Sequence, residues 1–315
     1  MSIYITHFIK WLKNCVDPDK LGRMKKRITS YEIQFLSIIL LFFFSVVSTS
    51  ESSESPSPFQ PLIHRLSQDG FDSEFLSNLL TDARAELNPS LMAISLEPRE
   101  TEDLYAQFLS QEAVHLSKKF LRQNLKILRR EENRFHVEKE IIVAILLVES
   151  RFGENIGKFR VLPTLASMAL MDSPDHLQKN YFILLEKDPE LSYERIEDLA
   201  KRKADWAYYE LKCFLNIIRD EKIDPLEVYG SYAGALGMAQ FIPSSYFAYA
   251  QKQKGLEHWL LDKEAAIFSI GNYLKSHGWK KNLTIEKKRK VLWYYNHSEP
   301  YVETILRIAQ RIKRG

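Results

Sequence analysis

The stretch Ile141–Gly153, IIVAILLVESRFG, decides the fold. It sits within the most apolar helix of the chain beyond its leader, expected over Val137–Phe152 and ended by Gly153. Glu149 falls on the same helical face as Ile142, Ile145 and Leu146, at the i, i+3, i+4, i+7 spacing. Working outward, other segments show the same helical period. Leu62, Ile63 and Leu66 share one face, and Phe75, Leu76, Leu79 and Leu80 another, with Gly70 between the two helices. A longer helix over Gln111–Arg130 carries Val114, Leu121, Leu125 and Leu128, and its charged end, Arg129–Arg134, is expected as a solvated face. Downstream, residues 176–200 are polar, broken at Asp188-Pro189, and expected as a surface insertion. Trp206–Ile218 is helical, with Trp206, Tyr209, Cys213, Phe214 and Ile217 at core spacing. A small-residue segment follows, then a helix over Lys263–His277 capped by Gly278, and a last helix with Tyr301, Ile305, Ile308 and Ile312. Alternating apolar and polar runs are nearly absent and no internal repeat is visible, so the fold class is mainly α.

Three places can carry chemistry. Burial of a carboxyl on an apolar face disfavours its charged form, and so does the negative end of a helix, so Glu149 is expected to hold a proton near neutral pH. That is what a general acid needs, although a cap or a pairing with a nearby arginine gives the same pattern. The second place is SYAGALGMAQFIPSSY, Ser231–Tyr246. Its small residues permit close approach of either a ligand or a second stretch of backbone, and Ser231 and Gln240 offer neutral hydrogen-bonding groups. The third is WYYNHS, Trp293–Ser298, where aromatics beside an amide suit sugar faces but also a half-buried loop. His277 and His297 lack a metal-binding partner at helical spacing.

Composition narrows the class. The 315 residues carry a net charge of +3, too mild for a dedicated nucleic-acid binder and compatible with an anionic polymer. Two cysteines, Cys15 and Cys213, build neither a disulfide framework nor a zinc site. Lys25-Lys26-Arg27, the apolar run Ile33–Val47 and the small residues Ser48–Ser50 follow the order of a secretory signal peptide, with an uncleaved anchor as the alternative. Met24 is a candidate start, which leaves 1–23 untranslated. Glu51–Pro58 is a Ser/Pro linker, and the folded domain is expected over 59–315.

Together and in this order, VESRFGENIGKFRVL, SYAGALGMAQFIPSSY, NYLKSHGW and YNHS resemble the lytic murein transglycosylase B family. The resemblance implies a lysozyme-like helical catalytic domain with an N-terminal helical extension, acting on peptidoglycan glycan strands in the periplasm. It makes Glu149 the catalytic acid/base. Ser231, Gln240, Tyr273, Tyr295 and Asn296 match residues that bind the glycan. Arg202 and Lys203 match an arginine pair, and Tyr105 corresponds to a cleft tyrosine with a one-residue slip. No cofactor is implied. Glycan strands are the expected partner, with cell-wall synthesis enzymes as further candidates; nucleic acid is not expected, and the membrane only through an uncleaved leader. The family's calcium loop is replaced here by AQKQKGLEHWLLDKE, which lacks a ladder of carboxylates, so no calcium is expected. Two rivals share these residues. One is a lysozyme-type hydrolase, which needs a second carboxylate, with Glu154 nearest in sequence. The other is a catalytically silent glycan-binding scaffold.

Overall fold

A computed structural model describes residues 57–96, 102–251 and 255–314. The expected leader, and the linker up to residue 56, lie outside the described residues. The N-terminal part consists of α1 (Gln60–Gln68), α2 (Ser73–Leu80), α3 (Pro89–Leu96) and α4 (Glu102–Ala106). Then come α5 (Gln111–Gln123), α6 (Leu125–Phe135) and α7 (Lys139–Ser150). A two-residue strand, β1 (Phe159–Arg160), leads into α8 (Val161–Met168), α9 (Pro174–Leu185) and the long α10 (Tyr193–Glu221). After β2 (Tyr229–Gly230), the chain ends with α11 (Pro243–Tyr249), α12 (Leu256–Trp259), α13 (Lys263–Ser276), α14 (Ile285–Tyr295) and α15 (Glu299–Lys313).

The mainly α reading holds, and α7 is its centre. Every residue from Ile141 to Leu147 is buried, as a helix apolar on all sides requires. Helices α5, α6, α13 and α15 pack around it. Side chains set the helix starts where the backbone alone would leave amides unpaired. Asp72, Ser110, Ser192, Asp262 and Ser298 each accept an amide of the first turn of α2, α5, α10, α13 and α15.

Four readings change. The helix expected over 111–130 breaks at Asn124, whose Nδ2 donates to the Phe120 carbonyl at 2.9 Å. That break turns Ala113, Ser117 and Phe120 inward, whereas Val114, Leu121 and Leu125 are only partly buried. Within the supposedly solvated run 129–134, Glu131 is fully buried. On α10 the buried stripe runs through Ala207, Tyr208, Leu211, Phe214, Leu215 and Ile218. Tyr209 is 55% exposed and Cys213 half-buried, so aromatic content misled the choice of face. Residues 176–200 form most of α9 and the first two turns of α10. Leu177, Asn180 and Leu184 of α9 are buried, and α9 packs on α3 and α10. The break at Asp188-Pro189 is the turn between the two helices, and the polar residues cover the outer faces.

Candidate active site

Glu149 stands in the last turn of α7, half-buried, where the helix leaves the core. The chain then takes three consecutive left-handed residues: Arg151 (φ 48°), Phe152 (φ 63°) and Gly153 (φ 95°). Two of these are not glycine, a conformation that costs on the order of 1–3 kcal/mol each and persists only where surroundings enforce it. The enforcement is visible. Phe152 stacks on Phe120 of α5 with ring centroids 4.2 Å apart. Ser150 Oγ donates to the Met238 carbonyl at 2.8 Å and accepts from the Gly153 amide at 3.0 Å. Gln240, itself at φ 48°, donates through Nε2 to the carbonyls of Ile156 (3.1 Å) and Gly237 (2.8 Å). Strand β1 pairs antiparallel with β2, Phe159 opposite Gly230, and Gly157 lies so close to the Gly230 backbone that no Cβ fits there. The small-residue segment therefore packs backbone against backbone and holds the exit from α7.

Tyrosines surround the carboxyl. Tyr301, in the first turn of α15, donates its hydroxyl to Glu149 Oε1 at 2.6 Å. Its ring lies parallel to that of Tyr295 at 6.3 Å and edge-on to Tyr105 at 6.1 Å. Tyr295 donates to the Ala239 carbonyl at 2.6 Å, and Tyr273 to the Tyr294 carbonyl at 2.6 Å. Burial first, and then the charge of Glu149, push the phenols of Tyr295 and Tyr301 well above their ordinary range. They stay neutral donors at any physiological pH. Asn296 caps the C-terminal end of α14 beside Tyr295. The structure thus gathers Glu149, Tyr105, Tyr273, Tyr295 and Asn296 with the segment bearing Ser231 and Gln240. Sequence reasoning missed Tyr301 as a site residue, because its spacing with Ile305, Ile308 and Ile312 reads as core. The available signal was a hydroxyl on an otherwise aliphatic stripe, which must find a partner when buried.

The sequence profile of the transglycosylase SLT domain family matches residues 57–291. The chain belongs to that family. It is 31% identical over 241 residues to the membrane-bound lytic murein transglycosylase B of Escherichia coli K12, an alignment covering 73% of this chain. The chain spans 59% of the length of that relative. Among solved structures, soluble lytic transglycosylase SltB1 of Pseudomonas aeruginosa superposes with a TM-score of 0.64 at 24% identity, over 81% of this chain and 98% of the other. SltB3 of the same organism, in complex with NAG-anhNAM-pentapeptide, superposes at 0.63 and 18% identity, over 82% of this chain and 80% of the other.

Family positions differ in how far they reach the cluster. Ser231 Oγ accepts the amides of Ala233 (3.2 Å) and Ala235 (3.0 Å), which shapes the loop and leaves its hydrogen available to donate. Lys203 points instead to the Ser95 carbonyl at the end of α3, and burial lowers its pKa. Arg202 is exposed on the same helix, and none of its described contacts touches the tyrosine cluster. Glu154, the second acid a hydrolase reading would recruit, is 67% exposed and faces Arg151 at 3.8 Å. In the calcium-loop region, residues 252–254 lie outside the description. Asp262 is engaged in capping α13, accepting the Ala265 amide at 2.9 Å. A cavity of about 400 Å³ there is lined by Arg130 and Arg134, both over the Phe268 ring. Its two carboxylates are both engaged, Asp262 in that cap and Glu264 with Arg130 at 2.9 Å, so among the described residues two guanidinium groups and no free carboxylate would face a divalent cation.

Proposed function

We propose that the protein is a lytic transglycosylase that cleaves the β-1,4 bond between N-acetylmuramic acid and N-acetylglucosamine in peptidoglycan, leaving 1,6-anhydromuramyl ends. The observation that carries this reading is one half-buried carboxyl, Glu149, receiving the Tyr301 hydroxyl in a pocket of neutral tyrosines. Family membership and the SltB3 complex with an anhydromuramyl pentapeptide ligand support it.

The chemistry follows from one acid. Protonated Glu149 donates to the glycosidic oxygen as the C1–O bond breaks, and the glucosamine-side chain leaves as an alcohol. The resulting carboxylate takes the proton of the muramyl 6-hydroxyl, whose oxygen bonds to C1. The acid is regenerated and no water is consumed. An internal nucleophile held in line replaces the second carboxylate of a hydrolase and is worth up to ~7–11 kcal/mol. Tyr301 steadies the carboxyl in one rotamer through both half-reactions. Ser231, Gln240, Tyr273, Tyr295, Asn296 and Tyr105 line the sugar path in this reading, and Arg202 and Lys203 act farther along the strand. The apolar leader and linker suit export to the periplasm, where this substrate lies.

Mass spectrometry of muropeptides released from purified sacculi tests the proposal. Anhydro ends, one water lighter than hydrolysed ends, are expected; reducing muramyl ends would establish the hydrolase instead.

A further inference from the structure

His277 follows the last turn of α13, half-buried, outside the family positions described above. Its imidazole grips one residue twice. The ring stacks on that of Tyr273, one helical turn earlier, with centroids 4.1 Å apart and planes 22° from parallel. Its Nδ1 lies 2.8 Å from the Tyr273 carbonyl. A carbonyl only accepts, so Nδ1 carries the hydrogen and donates it. Two further tyrosines complete a box around the imidazole: Tyr249, the last residue of α11, at 5.2 Å, and Tyr294 of α14 at 5.3 Å. The helix end does not require this grip. The Tyr273 carbonyl already receives the His277 amide at 3.1 Å, and the amides of Gly278 and Trp279 satisfy the Lys275 and Leu274 carbonyls at 3.0 and 2.9 Å.

What the grip fixes is the ring of Tyr273, since rotation about its first side-chain bond would break the stack. That ring supports the end of α14. Its hydroxyl donates to the Tyr294 carbonyl at 2.6 Å, and its edge meets Tyr295 at 5.0 Å. Carbonyls in a last helical turn have no partner within the helix, so the Tyr273 hydroxyl supplies one from outside. From there the connection is short. Tyr295 donates to the Ala239 carbonyl, the Ser298 amide to the Asn296 carbonyl at 2.8 Å, and Ser298 Oγ accepts the Tyr301 amide at 3.4 Å. Tyr301 is the donor to Glu149. None of the described contacts of His277 reaches Glu149 or Tyr301, yet Tyr273 and the end of α14 link it to both.

We infer that His277 is a positioning residue: its stack holds Tyr273 so that the end of α14 presents Tyr301 to Glu149, and it acts on kcat rather than on strand binding. The inference rests on the reaction proposed above. Two variants separate the stack from the donor. His277→Phe keeps an aromatic face over Tyr273 and loses the Nδ1 donor, whereas His277→Asn keeps a donor and loses the face. Release of anhydro products from soluble glycan strands is measured well below the Tm of each variant. His277→Asn is expected to lower kcat about ten-fold with KM within about two-fold, because small misplacements near reacting atoms lower rates steeply. His277→Phe is expected to restore kcat to within about two-fold of wild type. Tyr273→Phe removes the hydroxyl through which the stack acts, so adding His277→Asn to it should slow the enzyme no further. Wild-type kcat in His277→Asn, a loss confined to KM or Tm, His277→Phe as slow as His277→Asn, or losses that multiply in the double variant would each overturn the inference. If His277→Asn does not fold, His277→Leu, which also lacks a flat face, takes its place in the same comparison. Wild type that releases only reducing ends would refute the proposed reaction, and the same variants read on those ends would still decide the role of His277.

Discussion

Glu149 and Glu131 are both glutamates withdrawn from solvent on helices that pack against each other, yet they are built for opposite ends. Glu149 sits in the last turn of α7, open on one side, with Tyr301 donating to its Oε1. Glu131 lies inside α6 with no exposure, neither carboxyl oxygen has a hydrogen-bond partner, and Gly271 of α13 leaves the space it fills. Desolvation, helped by Glu132 and Glu138, pushes Glu131 up to about 9, so it is a neutral acid in the fold. A third acid, Glu210, shows the structural use of burial. It accepts the Ser244 amide at 2.8 Å and the Ser244 hydroxyl at 2.7 Å, holding the start of α11. Burial of a carboxyl alone does not mark catalysis. What distinguishes Glu149, the proposed acid, is a solvent-facing side combined with a dedicated neutral donor.

The largest effect that sharpens this contrast is expected at the donor. Tyr301→Phe keeps the ring and removes the hydroxyl. A fall in kcat of about 100-fold is expected, corresponding to ~2.7 kcal/mol. Tm should move little, and unchanged turnover would show that the hydrogen bond has no part in the reaction. Next comes Glu210→Ala, which strips α11 of its anchor and leaves the Ser244 groups unpaired. A stability loss of about 2 kcal/mol in denaturant melts is expected, with any residual activity scaling with the folded fraction.

The contribution of Glu131 depends on pH. Its folded pKa lies above its unfolded value, so the stability it contributes is complete below about 4.5 and is lost as pH rises toward about 9. Wild type should therefore lose on the order of 1 kcal/mol per pH unit across that window, relative to Glu131→Gln. Parallel Tm-versus-pH curves for the two proteins would contradict its neutral burial. The smallest effect is expected at Glu154. Glu154→Gln should leave kcat within about two-fold, since an exposed acid paired with Arg151 adds little. A loss of orders of magnitude there would reinstate a two-carboxylate hydrolase.

Legibility in the sequence followed the same contrast. The apolar run before Glu149 announced a central helix, and local motifs named most of the cluster, because both are written at short range. Glu131 was hidden among Arg129, Arg130, Glu132 and Arg134, where a solvated face is the ordinary outcome. Only the break at Asn124 and the gap at Gly271, set by tertiary packing, turn it inward. The face of α10 was missed for a related reason. Tyr209 has the chemistry of a core residue, but small alanines at 200, 204 and 207 are what allow α10 to pack closely. Tyr301 was legible as buried and illegible as a donor, since its acceptor lies 152 residues away. Gln240 was expected to face sugar; that its Nε2 also ties two loops together was not legible, because both acceptors are backbone carbonyls brought in by the turn.

The most direct test of the account is Glu149→Gln, assayed for anhydromuropeptide release and thermal melting in one preparation. The amide is nearly isosteric and still accepts the Tyr301 hydroxyl, but it can neither donate the first proton nor take up the second. No detectable turnover is expected, with Tm and strand binding close to wild type. A folded Glu149→Gln protein that releases anhydro products at near wild-type rate would contradict it.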